Sequence, residues 1–260
     1  MSTRRLATLA ALVAAALLAG CGGDRSPDSL QGAEVTPPSI ATTTPTTTTA
    51  EATTTTPAAE PDAEQQGPLG ARLERRVGLR DEPDGKIVAT LGTKTRWGSP
   101  RVLAVVEQRT GWLGVLTEQQ PGKVAWIPGD AAELLLEPWS LRIDLSARRV
   151  TVSHEGEVVR RFTVGVGGPG SPTPTGRFGV TDTLRLTGGG PYGCCAIALT
   201  ARQKDIAQGW TGGDRVAIHG TDSPSSIGRA VSHGCLRTAE DDLRWLLARI
   251  PLGSHVEIVA

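Results

Sequence analysis

Apolar residues alternate with polar ones through Leu141, Ile143 and Leu145, again at Val150 and Val152, and again along Val159, Phe162, Val164 and Val166. A repeat of two puts one face of a strand on a core and the other in water. SARR and HEGE separate these runs and carry turn chemistry, so the segment predicts an antiparallel meander. A further apolar run, Arg215-Val216-Ala217-Ile218, leads into His219-Gly220-Thr221, and His255–Val259 predicts a last strand. Leu243, Leu246, Leu247 and Ile250 recur instead at helical spacing. Thr238 stands at the N-cap position of that helix, Asp241 at its capping-box position, and Pro251-Leu252-Gly253 ends it. Earlier in the chain, short apolar runs predict strands at Arg75–Leu79, Lys86–Leu91, Val102–Glu107, Trp112–Thr117 and Val124–Ile127. DEPDG, TG and QQPG supply the turns between them. The class is mainly β with one main helix.

Two stretches show neither period. Residues 1–21 hold Arg4 and Arg5, an apolar run from Leu6 to Leu18, and small residues before Cys21. That order is a signal peptide, with a core too short to span a bilayer comfortably. Residues 22–67 are Thr, Pro, Ala and acid with almost no large apolar residue, so they predict a disordered tether. Two folded domains are expected after it, at 68–136 and 138–260. These tracts also explain why only 38% of the 260 residues are hydrophobic and 3% aromatic. Lys+Arg and Asp+Glu balance at 27 each, with no charge block to favour nucleic acid, and none is expected as a partner.

The chain has four cysteines and four histidines, and SHGC brings one of each together ahead of the helix. A cysteine attacks a carbonyl as thiolate, and an imidazole is the usual means of forming one near neutral pH. His219, at the end of a predicted strand, and His233 are both candidates to serve Cys235. Gly234 lets the backbone pass without a Cβ, and the N–H groups of Gly234 and Cys235 are candidates for an oxyanion site. Other readings stay open. Cys235 alone reads equally as a small buried residue or half of a disulfide. His219, His233 and Cys235, with Cys194 or Cys195, would supply the ligands of a zinc site, although no CxxC or HExxH spacing accompanies them. Adjacent Cys194 and Cys195 are read preferentially as two small buried residues, with a vicinal disulfide as the alternative. Tyr192, the single tyrosine, is either a substrate contact or a loop anchor. Trp112 and Trp126 are read first as core, second as the walls of a ligand groove; Trp210 and Trp245 are read as packing.

The stretch AIHGTDSPSSIGRAVSHGCLR resembles the signature of the L,D-transpeptidase catalytic domain, or YkuD domain. That pattern is a His, a spacer, then Ser/Thr-His-Gly-Cys-x-Asn/Arg, matched here by His219, Ser232, His233, Gly234, Cys235 and Arg237. PTPTGRF and GGPYG look like the family's substrate-side loops, and the likeness covers about Trp139 to Val259. Arg237 stands where many members have Asn. The resemblance implies a YkuD-type, β-sandwich-like catalytic domain. It implies Cys235 as nucleophile, His219 as general base oriented by the Gly220 carbonyl, and His233, Gly234 and Cys235 around an oxyanion pocket. Ser232, Arg237 and Tyr192 would contact or position the donor. The implied reaction is acyl transfer from a peptidoglycan tetrapeptide stem to an amine of a second stem, forming 3→3 cross-links, with no metal and no organic cofactor. Water as acceptor would make it an L,D-carboxypeptidase instead. A carbapenem is the implied covalent inhibitor. Leu18-Ala19-Gly20-Cys21 resembles a lipobox, which implies lipidation of Cys21 and anchoring to the outer face of the cell membrane, facing the wall. VGLRDEPDG, GWLGV and KVAWIP resemble a bacterial SH3-like barrel. A wall-binding lipoprotein with a vestigial site is the non-enzymatic alternative.

Overall fold

A computed structural model describes residues 67–187, 189–205 and 213–260. The expected signal peptide, Cys21, the expected tether as far as residue 66, and Trp210 lie outside the described residues. All described residues fall in one compact unit, 59–260.

The first part is a seven-stranded antiparallel sheet. Its strands are β1 (Leu69–Leu73), β2 (Val77–Arg80), β3 (Ile87–Leu91), β4 (Val102–Arg109), β5 (Trp112–Leu116), β6 (Val124–Pro128) and β7 (Ala132–Leu136). They lie in the order β3-β2-β6-β5-β4-β1-β7. Five of these correspond to the expected strands. The first and last were not legible, because LGARL and AELLL do not alternate and are ordered by pairing with each other along five residues. Leu69, Leu73, Leu79, Leu103, Val115 and Ile127 are buried in one cluster beneath the sheet. Trp126 is buried, with the Arg109 guanidinium 4.3 Å above its ring, and Trp112 is half-buried with Arg80 over it.

The second part is β8 (Trp139–Asp144), β9 (Arg149–His154), β10 (Glu157–Thr163), β11 (Val166–Gly167), β12 (Gly176–Arg185), β13 (Cys195–Arg202), β14 (Arg215–His219), β15 (Ala230–Ser232), β16 (Leu236–Arg237), α1 (Glu240–Leu247) and β17 (His255–Val259). Eight of these strands form one sheet in the order β10-β9-β8-β17-β12-β13-β14-β16, and β11 pairs with β15. The alternation read from Leu141 onward is the burial pattern: Leu141, Ile143, Val150, Val152, Phe162 and Val164 enter a single core with Leu243 and Leu246 of α1. The fold is mainly β, and α1 is the α-helix among the described residues.

The helix start differs from the expected cap. Ala239 is the N-cap and no side chain caps it. The Thr238 backbone is drawn into the sheet, where its N–H donates to the His219 carbonyl at 3.0 Å, and its buried hydroxyl has no partner. Sheet pairing thus wins over capping. Glu240, Asp241 and Asp242 in the first turn favour the helix electrostatically instead.

The two sheets meet along β12. A Cβ on Gly179 would stand 3.0 Å from that of Ala104, so glycine is what lets the strands approach. At the same seam Glu137 is 3% exposed and its Oε2 has no partner. Burial raises its carboxyl from 4.5 to about 7. The folded chain therefore holds the proton where the unfolded chain has released it, and stability falls as pH rises from about 4.5 through 7. Glu137→Gln is expected to raise unfolding free energy by about 2 kcal/mol at pH 8 and to change it little at pH 4. Urea melts of both proteins at the two pH values check this.

Candidate active site

β14 and β16 run parallel, with Ile218 opposite Leu236 and His219 opposite Arg237. Ile218 and Leu236 are fully buried in the core. Strand alternation therefore sends His219 and Arg237 to the other face of the sheet, together with Ala217 and, one residue ahead of Leu236, Cys235. The parallel pairing brings the imidazole and the thiol to adjacent strands on a common face. Neither periodicity nor spacing reveals that pairing.

His219 is 3% exposed, and its Nδ1 lies 2.5 Å from the Gly220 carbonyl. A carbonyl only accepts, so Nδ1 carries the proton and Nε2 keeps its lone pair for a base. Burial pulls the imidazole down to about 4; the Gly220 contact opposes this, and the Arg237 charge adds to it. Cys235 is 6% exposed and is the free cysteine among the described residues. Burial pushes its thiol up, against the pull of a backbone contact from Ala217 and of Arg237. Its Sγ lies 3.8 Å from the Arg215 carbonyl. Near neutral pH both groups are therefore uncharged at rest. A thiol of this kind attacks as its proton passes to the base, without a standing ion pair.

The loop around the thiol is braced on all sides. Ser232 Oγ donates to the Cys235 carbonyl at 2.5 Å and accepts from the Gly234 N–H at 3.2 Å. In this geometry the Gly234 amide is engaged by Ser232 and is not open to an oxyanion. Gly234 has φ +105°, and a Cβ there would meet the Gln203 side chain at 3.0 Å, so the position requires glycine. Thr173 Oγ1 donates to the Gly234 carbonyl at 3.0 Å and accepts from the Gly167 N–H at 2.9 Å. Thr173 and Gln203 were missed by sequence reasoning. Thr173 lies within PTPTGRF, but its contact with Gly234 spans a fold-dependent gap that no local signal marks. His233 sits exposed on the loop.

Tyr192 packs edge-on to His219 with ring centroids 4.8 Å apart. Its phenol is pushed up to about 12, mainly by burial and further by the Cys235 charge. The Gly/Pro turn that carries it is closed by a disulfide between Cys194 and Cys195, which corrects the preferred reading of two free buried cysteines. Both residues lie where the turn enters β13. The Cys194 N–H donates to Glu240 Oε1 at 3.0 Å and the Cys195 carbonyl accepts from Gly220. A Cβ on Gly220 would stand 3.0 Å from the Tyr192 carbonyl, so the turn presses directly on the residue after His219. Among the described residues no group of three His, Cys, Asp or Glu is placed to hold a metal ion.

Residues 138–258 match the sequence model of the L,D-transpeptidase catalytic domain, YkuD. This segment is a YkuD-type L,D-transpeptidase catalytic domain. YkuD of Bacillus subtilis is 31% identical over 121 residues, which cover 46% of this chain and 66% of that protein. L,D-transpeptidase 1 of Mycobacterium tuberculosis is 32% identical over 123 residues, 44% of this chain and 48% of that one. The chain thus spans 66% of the length of the first of these relatives and 48% of the second. A solved L,D-transpeptidase from Mycobacterium smegmatis, 19% identical, aligns with a TM-score of 0.40 over 73% of this chain and 99% of that one. Within the L,D-transpeptidase segment lie His219, Tyr192, Ser232, His233, Gly234, Cys235 and Arg237.

Proposed function

We propose that the chain is a peptidoglycan L,D-transpeptidase in which Cys235 is the nucleophile and His219 the general base. One observation carries the reading: a free, buried thiol and an uncharged imidazole stand on one face of adjacent parallel strands. In the first half-reaction the Sγ proton passes to His219 Nε2 as sulfur attacks the carbonyl carbon of the third stem residue. The tetrahedral oxygen then collapses, the bond to the terminal D-Ala nitrogen breaks, and the imidazolium returns its proton to that leaving amine. The donor is left as a thioester on Cys235. In the second half-reaction an amine of another stem attacks this thioester, loses a proton to His219, and releases the thiol on reprotonation. The product is a 3→3 cross-link.

Arg237 lies beside both reacting groups, where its charge favours the thiolate and disfavours the imidazolium. Tyr192, Ser232 and Arg237 are assigned to the donor stem or to the loop that receives it, and His233 and Gly234 to the shape of the pocket. No step requires a metal or organic cofactor. Carbapenems are expected to acylate Cys235, since their strained ring carbonyl accepts the same sulfur. Cys21 is assigned to lipid anchoring on the outer face of the membrane, residues 22–67 to a tether, and residues 68–136 to an SH3-like domain.

Incubation with a disaccharide-tetrapeptide and mass analysis of the products tests the reaction. A cross-linked dimer supports transpeptidation. A trimmed tripeptide alone replaces it with L,D-carboxypeptidase activity, in which water resolves the same thioester. No product and no carbapenem adduct overturn the reading.

A further inference from the structure

Arg215 opens β14, far in sequence from Arg101, just before β4, and Glu118, two residues past β5, yet all three are buried together at 6%, 6% and 5% exposure. Arg101 Nη1 lies 2.7 Å from Glu118 Oε1, and Arg215 Nη2 lies 3.8 Å from the same oxygen. Arg215 Nη1 also donates to Thr181 Oγ1 at 3.0 Å, and its guanidinium stands 5.3 Å from the Trp97 ring centroid. Arg202, paired with Arg215 in register, donates from Nε to the Glu118 carbonyl at 2.9 Å. One glutamate in the connection after β5 therefore faces the two residues that close the β13–β14 ladder.

An apolar contact would join two sheets at lower desolvation cost than buried charges do. What buried charges add here is a fixed joint: Arg202 Nε makes the directional contact, to the Glu118 carbonyl at 2.9 Å, and Arg215 is held by charge at 3.8 Å from Glu118 Oε1, too long for a hydrogen bond. Here the fixed strand end is also the nucleophile's support. The Arg215 carbonyl accepts from the Cys235 thiol at 3.8 Å. Gln203, next after Arg202, donates its N–H to the Asp214 carbonyl at 2.7 Å, and its side chain fills the space beside Gly234. From Glu118 the contacts run through Arg215 and Arg202 to Cys235 and Gly234 without a gap.

We propose that the first sheet is a working part of the catalytic site, and that Glu118 and Arg215 are positioning residues which hold the β14 edge against the Cys235 thiol. The inference rests on the nucleophile assigned above. Displacing that strand end turns the sulfur away from the imidazole, and a misplacement of about 1 Å costs on the order of 100-fold in rate.

The test uses the full chain with Glu118→Gln, Arg215→Met and the double variant. Glu118→Gln keeps size and an acceptor for Arg101 while removing the charge. For each protein, thermal melting establishes folding at 25 °C. Carbapenem acylation of Cys235 is then followed against carbapenem concentration, and iodoacetamide labelling of Cys235 is followed against pH by peptide mass mapping. The expected result is a limiting acylation rate lowered about 10-fold or more in each single variant, with the half-saturating concentration within about twofold. The midpoint of labelling is expected to shift, and the double variant to react no more slowly than Arg215→Met. Folded single variants that acylate at the wild-type limiting rate overturn the proposal, whatever their melting temperatures. So does a double variant in which the two losses multiply. If Arg215→Met does not fold, Arg215→Lys, which keeps charge but loses the fork, takes its place. A wild-type protein that takes no carbapenem adduct refutes the assigned reaction rather than the joint. In that event, labelling of Glu118→Gln identical to wild type at every pH overturns the joint itself.

Discussion

Cys235→Ala is expected to abolish both the carbapenem adduct and stem transfer, lowering the rate by at least about 10⁴-fold. The reason is chemical rather than structural. Cys235 is the free thiol among the described residues, and the Cys194–Cys195 disulfide withholds the other two described cysteines. No other described sulfur is available to form the acyl intermediate. The packing cost is small, because the side chain loses one atom: about 1 kcal/mol of stability. Intact-mass measurement after carbapenem treatment, beside a thermal melt, separates lost chemistry from lost fold. An adduct of unchanged occupancy on Cys235→Ala means that another group is acylated and the assigned nucleophile is wrong. Cys235→Ser restores shape but not reactivity, since a hydroxyl is a far weaker nucleophile beside the same imidazole.

His219→Gln is expected to lower acylation by about 10² to 10⁴-fold, the usual contribution of a positioned base. The wild-type pH profile gives a second view of the same residue. Acylation needs the uncharged imidazole, which burial preserves down to about pH 4 rather than the ordinary 6.5. The rate therefore persists through pH 5 and fails as pH falls through about 4. Stability carries the same signature. Between 6.5 and 4 the unfolded chain binds a proton that the folded chain refuses, so stability falls with falling pH across that window, by about 3 kcal/mol in total. Glu137 acts in the opposite sense between about 4.5 and 7, so the wild-type curve shows only the difference. The comparison that isolates His219 is Glu137→Gln against Glu137→Gln/His219→Gln, with urea melts from pH 4 to 8. A loss of acylation centred near 6.5, or a double variant as acid-sensitive as the single, contradicts a buried neutral base.

Much of this protein was legible in local patterns. Alternation at Leu141, Ile143, Val150 and Val152 foretold which side chains enter the core, because a strand has a two-residue repeat wherever it lies. Leu243 and Leu246 marked the helix for the same reason at a different period. Gly234 was legible as a point where the backbone passes without a Cβ, and it adopts φ +105° with the Gln203 side chain beside it. The helix cap at Thr238 was misread because its backbone answers to His219, a strand away. β1 and β7 were invisible because each is ordered by pairing with the other, far along the chain but adjacent in the sheet.

The site itself was assembled by contacts between distant parts of the chain. The candidate residues could be named from residue types alone: a thiol, an imidazole and glycines that let the backbone turn. Tertiary structure decided their state. The imidazole is uncharged because the surrounding sheet removes water from it. The thiol lies 3.8 Å from a carbonyl on the neighbouring strand, and the buried Arg215 of that strand lies 3.8 Å from Glu118, just beyond β5. Residue type is local and can be read in order, whereas desolvation and aim arise only where separate strands meet.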